Sequence, residues 1–489
     1  MIPFAPWLPD IAAFDTRASH EAQNVIPSAS GFRPFAGFQN VASAITARAQ
    51  GAVSVRSISG TIYNFCGDAT KLYLMDSNGL AWSDVSRVSG GAYSTATDAA
   101  WRFSQYGNYI TALNGNDAAQ VFELGTSTNF AALGGSAPAG KFPGTIREFG
   151  VIASTSVANN RITWSAIGDI SDWVASATTL SDSQDFPEGG SIMGFVGGEY
   201  GIVFQERAIQ RMTFEGPPTA FRFDKITAAL GCRAEGSIAA YESMTFFLAD
   251  DGFYMLRGGA ELVPIGSEKV DRWIETNLDA SQLYRVSSAI DPINKIYVMG
   301  FPSVGAGNPD SLIVYHWPTG QWARASVDHE IVYTASTQST YTIDGMDAVS
   351  ATIDGLPFPV DSRFWTGSGR LLLSGFDTSH RQGFFSGSNL AAAIETGDNQ
   401  AAEGRRSLFR GLRPIVEGSS VTPSLTVGSR DHLTESVTYG SPVPINSYGW
   451  CNARTQARYH RAKITIPAAS AWNFARGVDD LKLSLMGRR

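Results

Sequence analysis

The chain has 489 residues, too many for one ordinary core, so two or more domains are expected. Its net charge of -8, with only 17% charged residues, excludes a general attraction for nucleic acid, which needs clustered Lys and Arg. No run approaches the roughly 20 apolar residues of a membrane span, so membrane insertion is not expected.

The N-terminus, Met1 to Asp10, lacks a basic region and a continuous apolar stretch, and does not read as a secretion signal. Prolines at 3, 6, 9, 27 and 34 exclude a long helix, because each fixes φ and removes a donor. Residues 1–50 therefore read as an extended arm. Its scattered apolar residues need a surface to lie on, either on this chain or on a neighbouring subunit. Asn24, Pro27 and Arg33 are the arm's candidate interface residues.

From Ser57 the pattern becomes repeated antiparallel hairpins: short apolar or alternating runs beside Gly, Pro or Asp turns. Ile58 to Phe65, Lys71 to Met75 and Leu80 to Trp82 form the first set, turned at Gly67-Asp68 and Ser77-Asn78-Gly79. Asn-Gly marks a tight turn because both residues accept positive φ. Later sets start near Trp101, Ile146, Ile192, Ser237, Val286 and Ile331. Starts spaced by roughly 40 to 50 residues match four-stranded propeller blades. Seven such units can be counted, and Tyr315 to Trp322 resembles the strand, turn and aromatic strand of many blades. The expected fold is mainly β: a β-propeller-like body over 51–389, following the extended N-terminal arm. Gly266 to Gln282 breaks the pattern, with Val270, Trp273, Ile274 and Leu278 at helical spacing and Lys269, Asp271, Arg272 and Glu275 as a solvated face.

Residues 390–489 read as a C-terminal β-sandwich with its own charge. They hold 13 Lys plus Arg against 8 Asp plus Glu, whereas the remainder carries -13. In Tyr459 to Ile466, Ala462, Ile464 and Ile466 share one face and Arg461 and Lys463 the other, which is expected to be wet. Arg405, Arg406, Arg410, Arg413, Arg454, Arg458, Arg461 and Lys463 are candidate interface residues. They suit solvated strand faces and intersubunit ion pairs, or contact with an acidic partner or DNA phosphate, since the Arg fork pairs with carboxylate or phosphate.

Signals for chemistry are sparse. Cys66, Cys232 and Cys451 lie too far apart for a CxxC site and read as buried free thiols made in a reducing cytoplasm. The six histidines have no ligand spacing, and no phosphate loop, dinucleotide fingerprint or nucleophile elbow occurs. Asp169 and Asp172 beside Trp164 and Trp173, and Asp250 and Asp251 before Gly252, have the composition of a glycosidase carboxylate pair. Asp beside Gly is also ordinary turn chemistry, which is the reading adopted. No catalytic residue, metal ligand or cofactor is expected.

The order of several pieces resembles one family, the tail hub or nozzle (packaged-DNA stabilisation) proteins of short-tailed bacteriophages. The pieces are the Asn24 to Gly37 arm, Arg161 to Trp173, Gly216-Pro217-Pro218, Ala249 to Tyr254, and Arg458 to Arg461 with Trp472 and the terminal Gly487-Arg488-Arg489. The resemblance implies a structural virion protein of the tail, made in the host cytoplasm. Copies would form a homo-oligomer, a hexameric ring in the best-known relatives, beneath the portal and head-to-tail adaptor. The ring would carry tail fibre, spike or needle proteins, with genomic double-stranded DNA in its lumen bound without sequence specificity. It would retain packaged DNA and pass it during ejection. The -13 body would line much of that channel, and the basic clusters would face protein. The alternative reading is a receptor- or glycan-binding β-propeller of a tail or cell surface, with or without glycan hydrolysis; an intracellular kelch-type scaffold would need clearer repeats.

Overall fold

The computed structural model describes residues 2–12, 18–76, 80–337, 344–356, 358–360, 365, 370–400, 404–419 and 421–485. The expected Ser77-Asn78-Gly79 turn and the terminal Gly487-Arg488-Arg489 lie outside them. The molecule is mainly β, with a β-propeller-like body built from four-stranded antiparallel meanders.

Five of these meanders are separate sheets, over 51–84, 102–132, 140–185, 192–227 and 239–264; a sixth spans 287–326. We number them blades 1 to 6. Blade 7 has three strands of its own, Ile331–Ser336, Leu371–Phe376 and Arg381–Phe384. Its fourth, Gln39–Ala44, comes from the N-terminal segment and pairs with Arg381–Phe384. The first strands of blades 1 to 4 pack side by side in order, as do those of blades 5 to 7. Blade 7's first strand lies against that of blade 1, which closes the ring.

Each blade alone exposes two apolar faces, and stacking on its neighbours buries them. Phe65 and Leu72 of blade 1 meet Ile110 and Phe122 of blade 2. Ile202 and Phe204 of blade 4 meet Phe247 and Leu256 of blade 5. Tyr333, Phe376 and Phe384 of blade 7 meet Cys66 and Tyr73 of blade 1.

The arm is divided between the two bodies. Val25–Ser28 and Gly31–Pro34 form a hairpin in a sheet with Ala471–Leu485, Ser407–Ser419 and Thr455–Ala457. Glu21–Gln23 instead lies between the last strand of blade 6, Gln321–Ser326, and Ala392–Glu395. That insertion makes blade 6 and the second sandwich sheet one ten-stranded sheet, continued by Tyr459–Ile466 and Ser424–Arg430. The apolar side chains Phe409, Leu412, Leu425, Ile464, Ile466 and Trp472 fill the sandwich.

The helix is shorter than its periodicity predicts. An α-helix spans Asp271–Asn277 and a 3-10 helix follows at Ala280–Arg285. Val270, Ile274 and Leu278 are buried as expected. The carboxylate of Asp10 accepts from the Arg272 and Trp273 N–H groups, both at 2.8 Å, so the arm caps this helix. Three of the four residues expected on the solvated face are engaged: Lys269 donates to Gly320 O at 3.1 Å, Asp271 accepts from Phe253 N at 3.0 Å and Glu275 pairs with Arg233. Burial, then the Asp10 and Asp251 charges, push the Asp271 carboxyl up to about 6.

Candidate interaction surface on the sandwich

Asn24, Pro27 and Arg33 are turned toward their own chain. Asn24 sits at φ 58°, a left-handed position that Asn tolerates better than most residues. Its amide donates to Ala391 O at 2.7 Å and its side-chain oxygen accepts from Ser326 N at 2.9 Å. One residue thereby ties blade 6 to the sandwich. Pro27 is buried opposite Phe32. Arg33 donates to Asn294 Oδ1 at 3.3 Å, and burial lowers its pKa against the pull of Asp291.

The expected wet face of Tyr459–Ile466 is only partly wet. Ala462, Ile464 and Ile466 face the core as predicted, but Arg461 is also buried. Its Nε lies 2.6 Å from Asp398 Oδ1, and its Nη1 is 3.7 Å from Glu395. Arg430 pairs with the same Asp398 and also donates to Leu433 O at 2.7 Å. Burial alone would lower the Arg461 pKa, but the bond to Asp398 and the charges of Asp398 and Glu395 raise it. Lys463 reaches Glu21 of the arm at 2.5 Å, and Glu21 is also 3.6 Å from Arg324 of blade 6. Opposite charges from the arm, blade 6 and three sandwich strands thus alternate over one sheet face. Gly428 leaves room for Tyr439 to cross it, since a Cβ there would stand 3.0 Å from the Tyr439 ring. The Tyr439 hydroxyl bonds Glu395 at 2.6 Å. Arg461 and Lys463 are internal fasteners, because acids distant in sequence are brought to them by strand pairing.

The remaining arginines divide again. Arg406 makes a two-pronged bond to Asp431, at 3.1 and 2.7 Å, and the Arg458 N–H donates to the same carboxylate at 3.1 Å. Arg405, Arg410, Arg413 and Arg454 are exposed and make no ion pair among the described residues. In Ser407–Ser419 the buried Ser407 and Phe409 alternate with Leu408 and Arg410. The register then shifts at Gly411, where a Cβ would lie 2.6 Å from Cys451 O. Such an irregularity re-aims the following side chains, and Arg413 emerges outward like Arg410. Beside them lie the 82% exposed Tyr448 and Trp450, whose ring carries Lys482 Nζ at 3.6 Å. Neither aromatic nor Lys482 stands out in sequence, because their loop and strand have no periodicity to mark them.

Asp169, Asp172 and Asp251 behave as turn residues. Asp169 accepts from Ser171 N at 2.8 Å and Asp172 from Val174 N at 3.0 Å, within the loop after Trp164. Asp251 accepts from the Tyr254 hydroxyl at 2.7 Å. Trp164 and Trp173 are buried and donate to Leu180 O and Ile170 O, so neither presents a ring for stacking. Cys66, Cys232 and Cys451 are buried free thiols. Among the described residues no group of His, Cys, Asp and Glu could hold a metal ion. No helix among the described residues is long and apolar enough to cross a membrane.

No known protein family matches the sequence, and no curated protein does. Among solved structures, the extracellular domain of a B. thetaiotaomicron protein described as a hybrid two component system aligns at 11% identity and a TM-score of 0.40. The alignment covers 79% of this chain and 44% of that one, so the chain spans under half its length. BBS1N, solved in complex with ARL6DN, aligns at 8% identity and a TM-score of 0.41, covering 71% of this chain and 96% of its own. YCF48 bound to D1 peptide aligns at 12% and 0.36, covering 61% and 87%. These likenesses are too distant to bear on function.

Proposed function

We propose that the chain is a structural component of a phage tail, a hub or nozzle subunit whose copies ring the DNA channel, retain packaged DNA and pass it during ejection. The observation that carries this reading is the continuous ten-stranded sheet running from blade 6 through the arm strand Glu21–Gln23 into the sandwich. A wall under outward pressure needs domains that do not hinge, and a shared hydrogen-bonded sheet resists hinging where a linker would not. The exposed face around Arg410, Arg413, Arg454 and Tyr448 supplies a surface for a neighbouring protein. Tyr and Arg are the residue types that anchor such contacts. The pocket at one end of the propeller, about 150 Å³, is far too small for a duplex, so the proposed bore is one enclosed by several copies. A lumen formed by the acidic body would repel phosphate and keep DNA mobile.

Two measurements test the reading. Purified protein, alone or with its adaptor, should form rings in negative stain, six-fold if the resemblance holds. Particles made without it should show filled heads that lose DNA, or tails ending at the adaptor. Complete tails and full infectivity without the protein would overturn the proposal. So would release of sugar from host polysaccharide that disappears on changing Asp169 or Asp251.

A further inference from the structure

The first strands of blades 1, 2, 6 and 7 begin at Gly51, Arg102, Ser287 and Ile331, around one end of the propeller axis. The cavity of about 150 Å³ lies there, lined also by Arg48, Tyr284, Arg285 and Glu330. A water's share of liquid volume is about 30 Å³, so the space equals roughly five waters. Blades meet tightly around it: a Cβ on Gly236 would fall 1.8 Å from Val286 O, so the Arg285–Val286 backbone is pinned against blade 5.

The charges at this cavity do not balance. Arg285 is nine-tenths buried; its Nη2 donates to Asn308 at 2.8 Å and its Nε has no partner. Arg48 gives one Nη2 bond to Thr97 O at 2.7 Å. The one carboxylate lining the cavity, Glu330, is engaged behind it, accepting from Ala49 N at 2.8 Å and pairing with His380 at 2.6 Å. Burial and then the charge of Arg285 lower the Arg48 pKa, with Glu330 offsetting part of that. Arg102 at the rim is 3.5 Å from Glu235, a carboxylate it shares with Lys141. Two guanidiniums from different blade junctions therefore line one half-open pocket whose single carboxylate, Glu330, is already held by Ala49 N and His380. Burying like charges together is costly unless a counter-charge joins them.

We infer that this axial cavity is a binding site for a small oxyanion, a phosphate or carboxylate group held between Arg48 and Arg285. The guanidinium fork matches either group, and the Tyr284 and Arg102 side of the rim would admit it from solvent. The site is separate from the sandwich face and does not depend on the proposed role in a tail.

Isothermal titration of the full chain with sodium phosphate, at ionic strength fixed with sodium chloride, tests it. About one phosphate per chain is expected, with a saturable rise in unfolding temperature. A sodium acetate arm separates the two chemistries, and saturable binding of either supports the site. Arg48→Gln should weaken binding at least tenfold, Arg48→Lys less, and Arg410→Gln on the remote sandwich face not at all. If neither anion does more than chloride, or if Arg48→Gln binds like the parent or Arg410→Gln matches its loss, the inference is wrong. The titration of the unaltered chain decides the matter even if the Arg48 variants fold poorly.

Discussion

Asp398 shows how much one side chain can govern. It is 3% exposed and holds both Arg430 and Arg461. Asp398→Ala would leave two buried guanidiniums without their shared anion, a loss of about 3 to 5 kcal/mol. Urea denaturation should show the unfolding free energy falling by that amount, whereas the exposed pair of Arg222 with Asp224 can be removed with little effect. His329 sets a pH limit. It is 1% exposed over Gly300, its Nδ1 bonds Val327 O at 2.7 Å, and its Nε2 has no partner. Burial pushes its pKa down to about 4 from the ordinary 6.5. The unfolded chain thus takes up a proton that the folded chain refuses. Stability is full above about pH 6.5 and falls as pH drops toward 4, by about 3 kcal/mol for this group. Thermal unfolding across pH 7 to 4 should show that slope, and His329→Gln should flatten it. His316, also held near 4 by burial and then by Arg33 and Lys295, leaves a residual slope.

Among the elements, Gln39–Ala44 decides whether the propeller is closed. Its partner strand contains Gly383, where a Cβ would stand 2.2 Å from Gln39 O. Gly383→Val should push the closing strand away and cost about 1 to 3 kcal/mol, read as a lowered unfolding midpoint and faster proteolysis before residue 45. The hairpin pattern of the blades is legible in sequence because each strand pairs with its neighbour across a turn that Gly, Asp or Asn marks. The closing strand is not legible, since Gln39 to Ala44 shows no alternation and its partner lies across the whole body. The same limit hides the fate of Arg461 and Lys463. Period-2 spacing places them on one face, but Asp398 and Glu21 reach that face only through pairing distant in the chain. The helix is misjudged in length because its cap, Asp10, comes from outside it. Arg410 and Arg413 are legible as surface cations; the irregularity at Gly411 that aims both outward is not.

For the molecule as a whole, the proposed ring makes a demand on the basic face. Arg410→Glu together with Arg413→Glu should abolish ring formation, in size measurement and in negative stain, while the unfolding temperature changes little, because both side chains are exposed. Rings that persist in that double variant would move the subunit contact elsewhere. Assembly through this face should also weaken as salt rises, in contrast to the buried Asp398 cluster.

The closing strand also has a consequence for biosynthesis. Gln39–Ala44 leaves the ribosome long before Arg381–Phe384, the strand with which it pairs among the described residues. The nascent chain therefore carries an unpaired β segment until nearly the whole body has been translated, and the final blade can be completed only late. Release of truncated translation products should yield aggregates or chaperone-bound chains at every length short of blade 7, with the circular array locking shut in a single late event.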